Sequence, residues 1–177
     1  MKRFSLCFIL TLSFMMHLYA AEPRSVEELL NSMPIGTQMP LQPIPGFARQ
    51  GAPPSPMISD NGIIDGQETN IVYFKGKVYG IHFGNIDNIP NGDNKLAKLK
   101  YDEFYKLLLS IQKRYGGELM HNPKTKYGNY EYYQADLICS SFKISVYSGS
   151  GNVRINPYTK SKMPGQYSID VVSKLGK

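Results

Sequence analysis

Residues 96–117 read LAKLKYDEFYKLLLSIQKRYGG. Phe104, Leu107, Leu108, Ile111 and Tyr115 recur at spacings of three and four, which lines them along one side of an α-helix. The spacing predicts one amphipathic helix from Leu96 or Tyr101 to Tyr115. Asp102 and Glu103 then fall in its first turn and Lys113 and Arg114 in its last, complementing the helix dipole. Gly116-Gly117 supplies the left-handed backbone that ends it.

Outward from this helix, both flanks read as β-structure. Upstream, Thr69–Phe74 and Lys77–Phe83 are rich in β-branched and aromatic residues and are parted by Lys75-Gly76, the pattern of a hairpin. Alternation along the second run puts Tyr79, Ile81 and Phe83 on the expected core side and Val78, Gly80 and His82 on the other. The Asn/Asp/Gly-rich stretch Asn85–Asn94 reads as a loop. Downstream, Glu118–His121, Asn129–Leu137, Ser141–Tyr147, Val153–Asn156 and Tyr167–Val172 are strand-like, with a turn at Ser148–Asn152. Hairpins on both sides of a single helix imply an α+β fold, an antiparallel sheet with that helix packed on one face.

From Glu22 to about Ser59 the composition changes. Val26–Leu30 has the length of a helical turn or two, and Pro34, Pro40, Pro43, Pro45, Pro53, Pro54 and Pro56 follow. Proline at that density excludes a regular helix or an interior strand, so residues 21–66 are expected to form an extended or irregular arm ahead of a folded domain at 67–177. Met33, Ile35, Met39, Leu41, Ile44 and Phe47 give the arm apolar groups to dock with. Within it, Asp60–Glu68 (DNGIIDGQE) lacks the alternating oxygens of a calcium loop, because Ile63 and Ile64 occupy its middle, and reads as a turn.

The first twenty residues carry Lys2 and Arg3, then apolar Phe4–Leu12, and end at Tyr19-Ala20. This is the order of a secretory signal peptide with cleavage after Ala20. The expected location is the periplasm, with secretion or the cell surface as the alternative. The apolar run is short for a span and His17 interrupts it, so no transmembrane segment is expected after cleavage. Processing removes Cys7 and leaves Cys139 as the only cysteine, which excludes an internal disulfide. It also lowers the formal charge from +6 to +4. In an exported chain that mild excess suits an acidic partner or an anionic surface more than nucleic acid.

The chemistry-bearing residues are few. No Gly-x-Ser-x-Gly elbow, phosphate-binding glycine loop or His-Glu-x-x-His helix occurs, and no cofactor or metal is expected. His82, His121 and Cys139 are the only N or S donors left for a metal site or a Cys–His nucleophile, and no local spacing joins them. By contrast, Tyr127, Tyr130 and Tyr132 stand beside Lys124 and Lys126, a combination of rings and cations suited to a protein interface. Asp87 and Asp93, in the Asn85–Asn94 loop, form a second candidate contact. The sequence therefore points to an exported, non-enzymatic protein-binding domain whose partner is another exported or envelope protein. One version is an immunity or inhibitor protein. The alternatives are an envelope assembly component working through the arm, and a small hydrolase or ligand-binding domain using His82, His121 or Cys139.

Overall fold

The computed structural model describes residues 25–32, 34–151 and 165–174, without the side chains of residues 85–88 and 123. Two helices, α1 (Val26–Ser32) and α2 (Asn94–Tyr115), accompany eight strands. These are β1 (Ala48–Gln50), β2 (Met57–Ile64), β3 (Gln67–Phe74), β4 (Lys77–Ile89), β5 (Glu118–Tyr127), β6 (Tyr130–Ile138), β7 (Phe142–Gly149) and β8 (Gly165–Ser173). All belong to one sheet in the order β1-β2-β3-β4-β8-β7-β6-β5, with every neighbour antiparallel. The sheet is thus two four-stranded meanders zipped together along β4 and β8. Helix α2 links them, carrying the chain from the central β4 to the far edge at β5. At about 1.5 Å per residue its 22 residues reach roughly 33 Å, enough to cross the whole second meander.

The pairing places Tyr73, Ile71, Ile81, Phe83, Ile169, Val171, Ile144, Val146, Ala135 and Leu137 on one face, and all are buried. Over β6–β8 this face is covered by α2, through buried Ala97, Tyr101, Leu108 and Ile111 and partly buried Phe104 and Leu107. The expected antiparallel sheet with one main helix on it is the observed arrangement. Asp93 caps the helix by accepting the Leu96 N–H at 2.9 Å, so it starts earlier than the apolar spacing shows. Asp102 and Glu103 consequently lie inside the helix, paired with Lys98 (2.5 Å) and Lys100 (2.9 Å), and not in its first turn. The Asn94 amide ties the helix start to the β5–β6 hairpin, donating to Asn129 O (3.0 Å) and accepting the Glu131 N–H (3.1 Å).

Over β2–β4 the same face is covered by the proline-bearing arm. Ile35, Met39, Ile44 and Phe47 pack on the core, and the chain at 36–39 bonds to the start of β4: Gly36 N–H to Val78 O, Val78 N–H to Thr37 O and Met39 N–H to Gly76 O, at 2.8–2.9 Å. Phe47 lies across Gly62, where a Cβ would stand 2.5 Å from the ring. The prolines sit outside every strand of this segment, as their missing N–H requires.

Four further expectations change. The sheet begins well before Gln67: residues 57–64 form β2, and only Asp65-Gly66, both at positive φ, make the turn expected across Asp60–Glu68. Asp, Asn and Gly are poor strand formers, but Asp60 is ion-paired with Arg49 inside the fold and Gly62 accommodates Phe47. Val78 joins the core face because a bulge opposite Val72 and Tyr73 inserts Tyr79 and reverses the alternation. Residues 85–89 continue β4 against β8, with Ile89 fully buried, which shortens the expected loop to 90–93. Strand β5 runs on from His121 to Tyr127, with a bulge between Asn122 and Thr125 that admits Pro123 on this edge strand. The expected signal peptide and the strand Val153–Asn156 lie outside the described residues.

Candidate functional site

The opposite face of the sheet is covered by no element among the described residues. Register lays Asn61, Asn70, His82, Asp170, Ser145 and Asp136 side by side across it, one from each of six adjacent strands. At the β4–β8 seam His82 Nδ1 lies 2.5 Å from Asp170 Oδ1, and Ser168 Oγ donates to Asp170 Oδ2 at 3.1 Å. The hydrogen bond to Asp170 raises the His82 pKa, aided by the charges of Asp170 and Glu68 and opposed by burial. The other ring nitrogen, Nε2, hangs over Gly84, where a Cβ would come within 2.9 Å. Glu68 and Ser168 flank Gly84 on the neighbouring strands.

Beside this pair is an open hollow of about 390 Å³, walled by Gln50, Asn61, Ile63, Glu68, Asn70 and His82. The Asn70 amide donates to Asn61 Oδ1. Amide, carboxylate and imidazole groups thus line the hollow together with the apolar side chain of Ile63.

At the far end of the same face stand tyrosines. Tyr132 and Tyr147 close over Gly149, where a Cβ would lie 2.6 Å from each side chain, and the Tyr132 hydroxyl donates to Gly151 O at 2.5 Å. Burial, with the neighbouring Tyr132, pushes the Tyr147 phenol up to about 12. Tyr130 lies against Gly151, and Tyr127, paired with it across the hairpin, is 62% exposed.

The expected basic, aromatic patch is divided by the sheet. Lys126 stands opposite Glu131 in the strand register, on the helix side of β5 and β6, while Tyr127, Tyr130 and Tyr132 alternate onto the open side. Lys124 also reaches the helix side, 2.5 Å from Glu131 Oε1 and 5.7 Å from the Tyr133 ring centre. Asp93 serves as the α2 cap, and the Asp87 side chain lies outside those described.

His82, His121 and Cys139 do not come together. His121 pairs with Ala135 on the helix side, its Nδ1 3.2 Å from the Tyr101 hydroxyl and its ring edge-on to Tyr101 and Tyr105. Cys139 is buried, donates to Gly116 O at 3.3 Å and has its pKa raised by burial, the opposite of a reactive thiol. Lys143, four residues further along the chain, pairs with Asp136 at 3.2 Å. Among the described residues no three His, Cys, Asp or Glu side chains are grouped to hold a metal.

Sequence reading missed Asp170, Glu68, Asn61 and Asn70. Alternation within Tyr167–Val172 places Asp170 opposite the buried set, but its meeting with His82, 88 residues away, depends on the β4–β8 register. Comparison with known proteins finds no matching family model, no matching curated protein and no matching solved structure.

Proposed function

We propose that this chain is an exported, non-enzymatic binding protein that receives another envelope protein on the open face of its sheet. The observation carrying this reading is the unequal treatment of the two faces. One is covered, in sheet order, from β2 to β6 by arm and helix; the other presents a polar row, a hollow and a tyrosine cluster. Eight strands about 4.8 Å apart make a surface roughly 34 Å wide, of the order needed for a standard interface of about 800 Å² per partner. The hollow beside His82 suits a polar side chain of the partner, and the tyrosines supply rigid contact area at the other end.

The immunity or inhibitor version fits a small exported domain without a nucleophile or metal cluster among its described residues. An enzyme built on His82, His121 and Cys139 loses its support, since they occupy opposite faces. Assembly through the arm is likewise disfavoured, because Ile35, Met39, Ile44 and Phe47 are already engaged with their own sheet.

The test is periplasmic expression of the tagged chain and identification of co-purifying proteins by mass spectrometry. A near-stoichiometric partner is expected, with Tyr132→Ala and His82→Ala each weakening its binding at least tenfold, about 1.4 kcal/mol. Charge reversal at Lys124 and Lys126 should leave the affinity unchanged. A partner lost on that reversal but retained with Tyr132→Ala would move the site to the helix side.

A further inference from the structure

We propose that the outward ridge of α2 is a second docking surface, one that seats the protein on an anionic phospholipid membrane. With successive residues about 100° apart, Lys95, Leu99, Asp102, Lys106, Leu109 and Lys113 fall within an arc of about 80°. They form a straight line about 27 Å long on the side turned away from the sheet. Leu99 and Leu109 are 54% and 41% exposed, although most of the helix's other large apolar groups are buried or half-buried.

The charges on this side are unbalanced. Asp102, Glu103 and Glu131 are each paired with a lysine, so their negative charge is already matched. Lys95, Lys106, Lys113 and Lys126 are exposed and have no ion pair among the described residues. The open sheet face lacks this excess: His82 and Lys143 are matched by Asp170 and Asp136, and exposed Glu68 and Glu118 share the face with exposed Lys77, which stands opposite Phe74. Unmatched positive charge is therefore concentrated on the helix side.

Shape selects the anionic partner. The ridge is convex, with its leucines about 15 Å apart and flanked by lysines. A protein partner would need a matching groove, whereas a lipid surface is laterally uniform and needs none. Each lysine near an anionic leaflet strengthens binding by roughly fivefold, and lysine stems lie along the headgroups while leucines enter below them. No described helix is long and apolar enough to cross a membrane, so α2 would lie on the surface. Docked this way, the protein turns its open sheet face outward. The inference does not depend on that face having a protein partner.

The experiment is co-sedimentation of the full chain, as recovered from the periplasm, with vesicles of phosphatidylethanolamine and phosphatidylglycerol. Vesicles of phosphatidylcholine control for apolar residues 4–12, should these be retained. Binding to the anionic vesicles is expected at about 50 mM salt and should fall at least tenfold at about 500 mM salt or on neutral vesicles. The double variant Lys106→Glu/Lys113→Glu should lower it at least tenfold and Leu99→Asn/Leu109→Asn about fivefold. All four sites are solvent-exposed, and circular dichroism verifies folding of the variants. Glu68→Gln, on the open face, should have no effect. Equal binding to neutral and anionic vesicles, or full binding by the folded charge variant, would overturn the proposal. Binding to polyglutamate without binding to vesicles would also overturn it and reassign the ridge to an acidic protein.

Discussion

The two meanders bury the same face of one sheet by different means. Over β6–β8 the cover is a 22-residue helix, whose regular period presents an apolar group every turn and whose backbone bonds are internal. Over β2–β4 it is an irregular, proline-bearing segment that must find partners for its own polar groups. It does so by pairing with β4 and through a clamp around Asp60. Arg49 grips this carboxylate with Nε at 2.7 Å and a second guanidinium nitrogen at 2.8 Å, and the Tyr73 hydroxyl donates to it at 2.8 Å. Arg49 also donates to Pro40 O and Leu41 O, tying the arm's bend to the edge strand. An irregular cover thus requires a polar fastening, where a helix needs only its apolar stripe.

The largest effect should follow from breaking that fastening. Asp60 has no exposed surface, so Arg49→Ala leaves a buried charge without its counter-ion, and removing one member of such a pair is destabilising by about 3–5 kcal/mol. Urea unfolding should show the loss. Limited proteolysis should show cleavage concentrating at 34–47 if the arm lets go before the helix half. Burial pushes the Asp60 carboxyl up, but Arg49, Tyr73 and a backbone N–H outweigh it and hold it below the usual carboxylate value of 3.8. A carboxylate with a depressed folded pKa contributes stability above its unfolded pKa and loses it as pH falls through the folded value. The arm should therefore stay docked down to about pH 4 and loosen in stronger acid. Arg49→Ala should remove this resistance.

Under the helix, Leu108→Ala should be destabilising by about 2–5 kcal/mol through the cavity it leaves, and proteolysis should then become general instead of confined to the arm. If both variants melt the whole chain with identical protease patterns, the two halves form one cooperative unit and the contrast between their covers is static only. Gly62→Ala is expected to be smaller, about 1–3 kcal/mol, because the added methyl group meets the Phe47 ring and the arm can shift to relieve it. The proteolysis pattern of Gly62→Ala should resemble that of Arg49→Ala.

The same contrast explains what was legible in the sequence. Helix α2 and the strands around Ile71, Ile81, Ile144 and Ile169 announce themselves by local period and β-branched content. Strand β2 does not, since its Asp60-Asn61-Gly62 centre reads as a turn until Arg49 and Phe47, 11 and 15 residues upstream, are seen to occupy it. The bulge at Tyr79 has no local signature, and it reverses the facing of Val78. For the candidate site, the tyrosines were visible as a cluster, but single-residue alternation beside the β5 bulge divided them from the lysines. The His82–Asp170 pair depends on a register between strands that are far apart in the chain.

That pair gives the smallest and most local test, because it sits on the seam where the two meanders meet. Its hydrogen bond and the nearby carboxylates raise the His82 pKa above 6.5. A base raised on folding contributes stability that is fully present below its unfolded pKa and is lost as pH rises through the folded value. Domain stability should therefore decline slightly from about pH 6.5 upward. The side chains are 49% and 42% exposed, so solvent screening limits the effect to a few tenths of a kcal/mol. Nuclear magnetic resonance titration of the His82 ring should give a midpoint above 6.5, and Asp170→Asn should lower it and flatten the stability profile. Slower hydrogen exchange on β4 and β8 at pH 6 than at pH 8, after correction for the intrinsic rate, would show that the pair holds the two meanders together. If exchange changes only at His82 itself, backbone pairing and the shared core hold the seam, and the imidazole is left available to whatever docks on the open face.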